Sequence, residues 1–238
     1  MQWKVMMHKM PTAIYQEMWK NAFGKIANNQ YEIDLNINNN NDTKRGISIV
    51  AYLERNNLQV TKNISDFLME LKVLEPDQYY YPSNELHMTL TSIVSCTEGF
   101  QLSDEMAEKY RAIFSDVMQT TPLLEIQFTG VTLSPSCIVI QGFPSDQAIN
   151  ILRDKLRNAF NASSLFTNFD VRYKLVAAHI SAMRFAKPLN DPHALLAFCQ
   201  RNRDKNFGSM KVTNYSLVFN NWYQNTDKTQ ILAEHVLD

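Results

Sequence analysis

The sequence predicts an α+β protein made of antiparallel sheets and duplicated into two lobes. Apolar, β-branched runs alternate with segments whose apolar residues recur at helical spacing. The paired strands are separated by short turn signals, which argues for hairpins rather than βαβ units. The order of elements also repeats, with a histidine-bearing strand, a helix and a hairpin of two long strands over residues 87–143 and again over 179–237.

Residues 11–28 read as a helix, with Ile14, Met18, Phe23 and Ile26 at near-helical spacing. Residues 36–41 are asparagine apart from Ile37 and lead into Asp42, a composition that disfavours helix and strand interiors. Residues 1–43 are therefore expected to form an N-terminal helical extension with an Asn-rich linker, packed on or tethered to a two-lobed domain of residues 44–238. Residues 46–53 (GISIVAYL) read as the first strand of that domain, and 65–73 (SDFLMELKV) as a helix whose Phe67, Leu68, Leu71 and Leu74 face the core. Tyr79, Tyr80, Tyr81 and Pro82 read as an aromatic loop, followed by a strand over 86–94 (LHMTLTSIV). Residues 103–118 fit a helix with Ser103 as N-cap and Glu105 and Glu108 in the first turns. Residues 124–133 and 137–143 form a hairpin around Ser134-Pro135-Ser136. The pattern then restarts with a helix over 145–160, a strand over 176–185, and a helix over 191–203 with Asp191 as N-cap and Pro192 at its first position. Two last strands, 211–219 and 229–237, are joined by a polar turn.

Lys plus Arg number 23 against 24 Asp plus Glu, a net charge of -1, which excludes the global basic field that drives bulk nucleic-acid binding. A single phosphate on a nucleotide or an RNA end needs only a local cluster. Cys96, Cys137 and Cys199 are odd in number and widely spaced, which points to reduced, buried thiols and not to a disulfide framework or a zinc knuckle. The first ten residues are too short in apolar side chains for a signal peptide, and no stretch approaches a membrane span. A cytoplasmic monomer with no cofactor and no metal is the expectation.

Two tripeptides carry the chemistry. His87-Met88-Thr89 and His179-Ile180-Ser181 share the order histidine, apolar residue, hydroxyl, and each lies in an apolar run that reads as a strand. Residues two apart share a strand face, so each run presents an imidazole beside a hydroxyl and buries the residue between them. In-line displacement at phosphorus needs a base for the attacking oxygen and an acid for the departing one. Imidazole serves either role because its ordinary pKa is about 6.5. The hydroxyls can donate to the non-bridging oxygens, where charge concentrates. From spacing alone, two satisfied core histidines in unrelated strands fit equally well; the equivalent placement in the repeat is what favours a site. His8, His193 and His235 lack the hydroxyl partner.

The two tripeptides, with Tyr79-Tyr-Tyr-Pro-Ser-Asn-Glu-Leu86 before the first and Phe128-Thr-Gly-Val131 after it, resemble the two-histidine phosphoesterase superfamily, which includes LigT-like RNA ligases and cyclic phosphodiesterases. The resemblance covers residues 46–237. It implies a bilobal fold with two antiparallel sheets flanking a central cleft and helices on the outer faces. It also implies metal-independent action on a cyclic phosphate or 2′-5′ phosphodiester of a nucleotide or RNA end, with His87, His179, Thr89 and Ser181 as the catalytic set. The sequence departs from a clear subgroup after Ser181: Ala182 follows, and Arg184 has no role that the pattern assigns.

Tyr79 and Tyr81 are candidates to stack on a base or reach a phosphate, against the ordinary role of tyrosine in plugging a sheet edge. Tyr173 and Lys174 are their counterparts before the second tripeptide, with Lys174 or Arg172 able to attract a phosphate and a solvated surface as the alternative. Trp222 and Tyr223 lie in the last turn, at a cleft rim or capping the sheet. Two other functions fit the composition: a non-catalytic nucleotide- or RNA-binding module that keeps the cleft, and a metal-dependent hydrolase. Against the latter, no HExxH or His/Cys cluster stands at ligand spacing, and the lone Asp191-Pro192-His193 opens a helix.

Overall fold

The computed structural model describes residues 11–37, 39–169, 175 and 177–237. Among the described residues nine strands make two antiparallel sheets, with helices around them; the α+β class with antiparallel sheets is the one the sequence predicted. In chain order the elements are α1 (Pro11–Ala27), β1 (Arg45–Tyr52), α2 (Leu53–Asn56), α3 (Leu58–Leu74), β2 (Tyr79–Tyr80), β3 (His87–Thr97), α4 (Asp104–Met118), β4 (Leu124–Ser134), β5 (Cys137–Pro144), α5 (Ala148–Asn161), β6 (Ile180–Arg184), α6 (Pro192–Arg201), β7 (Asn206–Val212), β8 (Asn214–Asn220) and β9 (Gln230–Val236). One sheet has the order β3-β1-β8-β9 and carries α4 and α5; the other has the order β2-β6-β5-β4-β7 and carries α1 and α3, against which α6 packs.

Local chemistry sets the boundaries. Ser103 caps α4 by accepting from the Met106 amide, and Asp191 caps α6 by accepting from Ala194, with Pro192 at the first position. The helix expected at 65–73 starts earlier, at Leu58, because the Asn57 side chain accepts from both the Gln59 and Val60 amides. The aromatic run expected to be a loop contains a two-residue strand, as Tyr79 and Tyr80 pair with Arg184 and Met183.

Two features depart from the sequence reading. The hairpins are exchanged between the repeats. The β4–β5 hairpin from the first half pairs with β6 of the second, and β8 of the second half pairs with β1, which pairs in turn with β3. β6, which His179 precedes, thus lies between β2 and β5 of the first half, whereas β3, which His87 opens, is an edge strand paired to β1 of its own half, with β8 beyond it. The run 211–219, expected as one strand, is two. Asn56 accepts from the Thr213 and Asn214 amides at 2.9 Å each and donates to the Asn214 carbonyl. These bonds take the place of a strand partner at Thr213, so the chain passes there from one sheet to the other.

Residues 11–37 pack into the body. Tyr15 is buried, and its hydroxyl donates to the Gly142 carbonyl and accepts from the Gly142 amide, 3.0 Å each. Thr132 donates to the Tyr15 carbonyl, Glu32 N–H to Pro135 and Asp34 N–H to Phe185. No described helix is long and apolar enough to cross a membrane. Replacing Tyr15 by Phe removes a buried donor and leaves the Gly142 amide unpaired; we expect a loss of roughly 1–3 kcal/mol in urea denaturation. An unchanged midpoint would show that α1 contributes nothing to stability through this bond.

Candidate active site

β3 and the segment entering β6 meet at a cavity of about 120 Å³ between the sheets, and His87, Thr89, His179 and Ser181 all line it. His87 opens β3, with Met88 fully buried behind it; His179 lies one residue before β6, with Ile180 fully buried. The alternation that places imidazole and hydroxyl on one face and an apolar residue on the other holds at both positions.

Three devices place the rings. The first is the 2.7 Å contact between His87 Nδ1 and the Glu85 carbonyl, which requires a proton on Nδ1 and leaves Nε2 as the exchanging atom. The second is Arg153 of α5, which is buried. Its Nε donates to the Leu90 carbonyl of β3 at 2.7 Å and its Nη2 to the Ala177 carbonyl at 2.9 Å, so one guanidinium ties both histidine segments together. The third is Gly142 of β5: a Cβ there would lie 1.7 Å from the Ala178 carbonyl oxygen, immediately before His179. Gly142→Ala must therefore push the His179 segment away. We expect a destabilisation of about 3 kcal/mol together with lost activity, read by urea denaturation and turnover. Wild-type stability in that variant would mean the approach is not tight.

The rings differ electrostatically. Burial is the main cause that pushes His179 down to about 4, assisted by Arg153, His87 and Arg184. His87 is also lowered by burial, but its bond to the Glu85 carbonyl opposes the shift. Among the described residues, His179 Nδ1 is buried with no hydrogen-bond partner.

Arg184, at the end of β6, was without a role in the sequence reading and proves to line the cavity. Its Nε donates to the Tyr81 hydroxyl at 2.9 Å and its plane lies over the Tyr223 ring. Three aromatic candidates separate. Tyr81 lines the cavity, packed edge-on to His87. Tyr79 does not line it, because its hydroxyl donates to the Glu85 carboxylate at 3.0 Å and accepts from Asn225. Trp222 lines the cavity, whereas Tyr223 is buried with its hydroxyl donating to Asp34. Tyr173, Lys174 and Arg172 lie outside the described residues.

The sequence also understated the hydroxyl content of the wall. Thr91, Ser92 and Ser95 of β3 join Thr89 there. Thr91 and Ser92 pair in regular register with Ile49 and Ser48, and β3 shifts against β1 on either side of them, between Ile49 and Val50 and between Ile47 and Ser48. Among the described residues no group of three or more His, Cys, Asp or Glu side chains is arranged to hold a metal ion.

No family model matches the sequence, and no curated protein matches it. Solved structures do. E. coli LigT complexed with 3′-AMP superposes with a TM-score of 0.53 at 16% identity, over 82% of this chain and 98% of LigT. TT0787 of Thermus thermophilus gives 0.52 at 13%, over 81% and 97%. ATU0111 of Agrobacterium tumefaciens, a conserved protein of unknown function, gives 0.59 at 14%, over 91% and 98%. The chain has the fold of LigT and TT0787.

Proposed function

From a fold shared with LigT, we propose that this chain is a metal-independent phosphoesterase acting on a cyclic phosphate or a 2′-5′ phosphodiester of a nucleotide or RNA end. The observation that carries the reading is the convergence of two imidazoles, two hydroxyls and one guanidinium on a single cavity. A pure binding module needs a cation and donors there, but has no use for a second imidazole held in a largely uncharged state. The unit responsible is residues 44–238, acting as a cytoplasmic monomer.

The site's asymmetry supports one division of the roles. His179, which favours its neutral form, takes the proton from the attacking water or hydroxyl. His87, whose Nδ1–H is held by a carbonyl that also supports the imidazolium, gives its Nε2 proton to the departing ester oxygen. Thr89, Ser181 and Arg184 donate to the non-bridging oxygens as negative charge builds on them. Tyr81 and Trp222 form aromatic wall against which a nucleoside can lie. Bond breaking and making are balanced by one proton taken and one returned, so the pair ends each turnover with its protonation states exchanged and resets through solvent.

The test is a panel of 2′,3′-cyclic nucleotides, 2′-5′ oligonucleotides and cyclic-phosphate-ended RNA, each run with EDTA. Turnover of at least one class with chelator present is expected. Turnover that EDTA abolishes would point to the metal-dependent alternative, and tight binding of a cyclic nucleotide with no product over hours would point to the binding module.

A further inference from the structure

We propose that Asp34, contributed by the segment N-terminal to the two-lobed domain, is a positioning residue that holds Arg184 with one edge of its guanidinium turned to the incoming phosphate. The inference rests on the function proposed above and extends the site into a part of the chain that the resemblance to two-histidine phosphoesterases leaves out.

Asp34 is itself fixed from three directions. Its N–H donates to the Phe185 carbonyl at 2.7 Å, which sets the segment alongside the end of β6. Its Oδ1 accepts from the Tyr223 hydroxyl at 2.7 Å and from the Asn36 N–H at 3.3 Å. Its Oδ2 then stands 3.4 Å from Arg184 Nη1, with the two side chains only 15% and 11% exposed. Arg184 is therefore held by Tyr81 on Nε, by Asp34 on Nη1 and by the Tyr223 ring beneath its plane. Among the described residues no partner is recorded for Nη2, the remaining edge of the fork. A guanidinium fixed in this way loses little side-chain freedom when it binds an anion, which is the gain from preorganisation. A freely swinging arginine would have to be ordered at that step.

Asp34 also balances charge. Arg184 acts on both His87 and His179 and disfavours their protonated forms. The other titratable groups beside Arg184 are Tyr81, Tyr223 and Cys137; Arg153 also acts on His179, and Glu85 on His87. Of these, Asp34 is the carboxylate paired with Arg184, so its charge limits how strongly the guanidinium opposes an imidazolium.

The experiment is a double-mutant cycle on the full chain with Asp34→Asn, Arg184→Ala and the pair. Asn keeps the size of Asp and an oxygen for Tyr223 but carries no charge. Two quantities are read: the Kd of 3′-AMP, with inorganic phosphate as a second probe, and the pH dependence of kcat/KM on the best substrate of the panel. Asp34→Asn is expected to weaken 3′-AMP binding about tenfold in the wild-type background and by less than about twofold when Arg184 is already Ala. It should also move the alkaline limb of kcat/KM to lower pH, because the Arg184 charge then acts on the imidazoles without a counterion. Equal losses in both backgrounds, or weakened binding in Arg184→Ala but not in Asp34→Asn, would overturn the inference and leave the proposed function standing. Coupled binding losses in a protein that turns over no substrate would do the reverse, supporting the Asp34 role and removing the catalytic reading. If wild type binds neither probe, or if Arg184→Ala binds both as wild type does, the inference falls with the phosphate site on which it rests.

Discussion

Replacing either His87 or His179 by Ala is expected to lower kcat by a factor of about 10²–10⁴, the usual contribution of a positioned general acid or base. The paired variant should lose little more than the worse single one, because each proton transfer depends on the other and removal of one disables the pair. Stability should change little: both rings face the cavity and are only partly buried, and the neighbours that fill the core, Met88 and Ile180, are untouched. Chemical rescue separates the roles. With a substrate whose leaving group needs no proton, such as a nitrophenyl ester, His87→Ala should recover most of its rate, whereas His179→Ala should not. If both variants kept more than about a tenth of wild-type kcat, the imidazoles would not be carrying proton transfer and the proposed chemistry would be wrong.

The two histidines were legible in the sequence because their signal is local. A strand has a period of two, so His-x-Thr and His-x-Ser declare a shared face without any knowledge of the fold. The helix starts at Ser103 and Asp191 were legible for the same reason, since the cap and its amide are three residues apart. What the sequence hid is non-local. Arg184 lies only five residues from His179, yet its meaning depends on Tyr81, Tyr223 and Asp34, of which Asp34 stands 150 residues away. The split at Thr213 depends on Asn56, 157 residues earlier. The repeat was visible as an order of elements, but that order is the same whether each hairpin joins its own half or the other, so pairing could not be read from it. Tyr79 and Tyr81 share a strand parity and a residue type; the Glu85 carboxylate separates them by capturing the first hydroxyl. Thr91 and Ser92, neighbours in sequence, both line the cavity in a strand whose register against β1 shifts on either side of them, a feature that alternation cannot forecast.

The protonation states of the pair make the sharpest claim about conditions. The proposed mechanism needs one ring neutral and the other charged. In the free protein His179 is neutral above about 4, and His87 is also pushed below the ordinary imidazole value by burial. The productive combination is therefore most populated on the acid side of 6.5. The profile of kcat/KM, which reports the free protein, should be a bell centred below neutrality, its alkaline limb falling about tenfold for each pH unit above the upper apparent pKa, and thus about a thousandfold over three units. The profile of kcat reports the bound state and should differ in a set direction. A phosphate held between the rings places negative charge beside each, which favours the imidazolium and offsets Arg184 and Arg153, so both apparent values rise and the alkaline limb moves toward neutral pH. A metal-bound hydroxide would give the opposite signature, since its activity grows with pH as the bound water ionises. Measuring both profiles between pH 4 and pH 9 with EDTA present decides between them: coincident limbs, or a kcat/KM that climbs steadily through pH 8, would mean that the two imidazoles do not share the proton transfers.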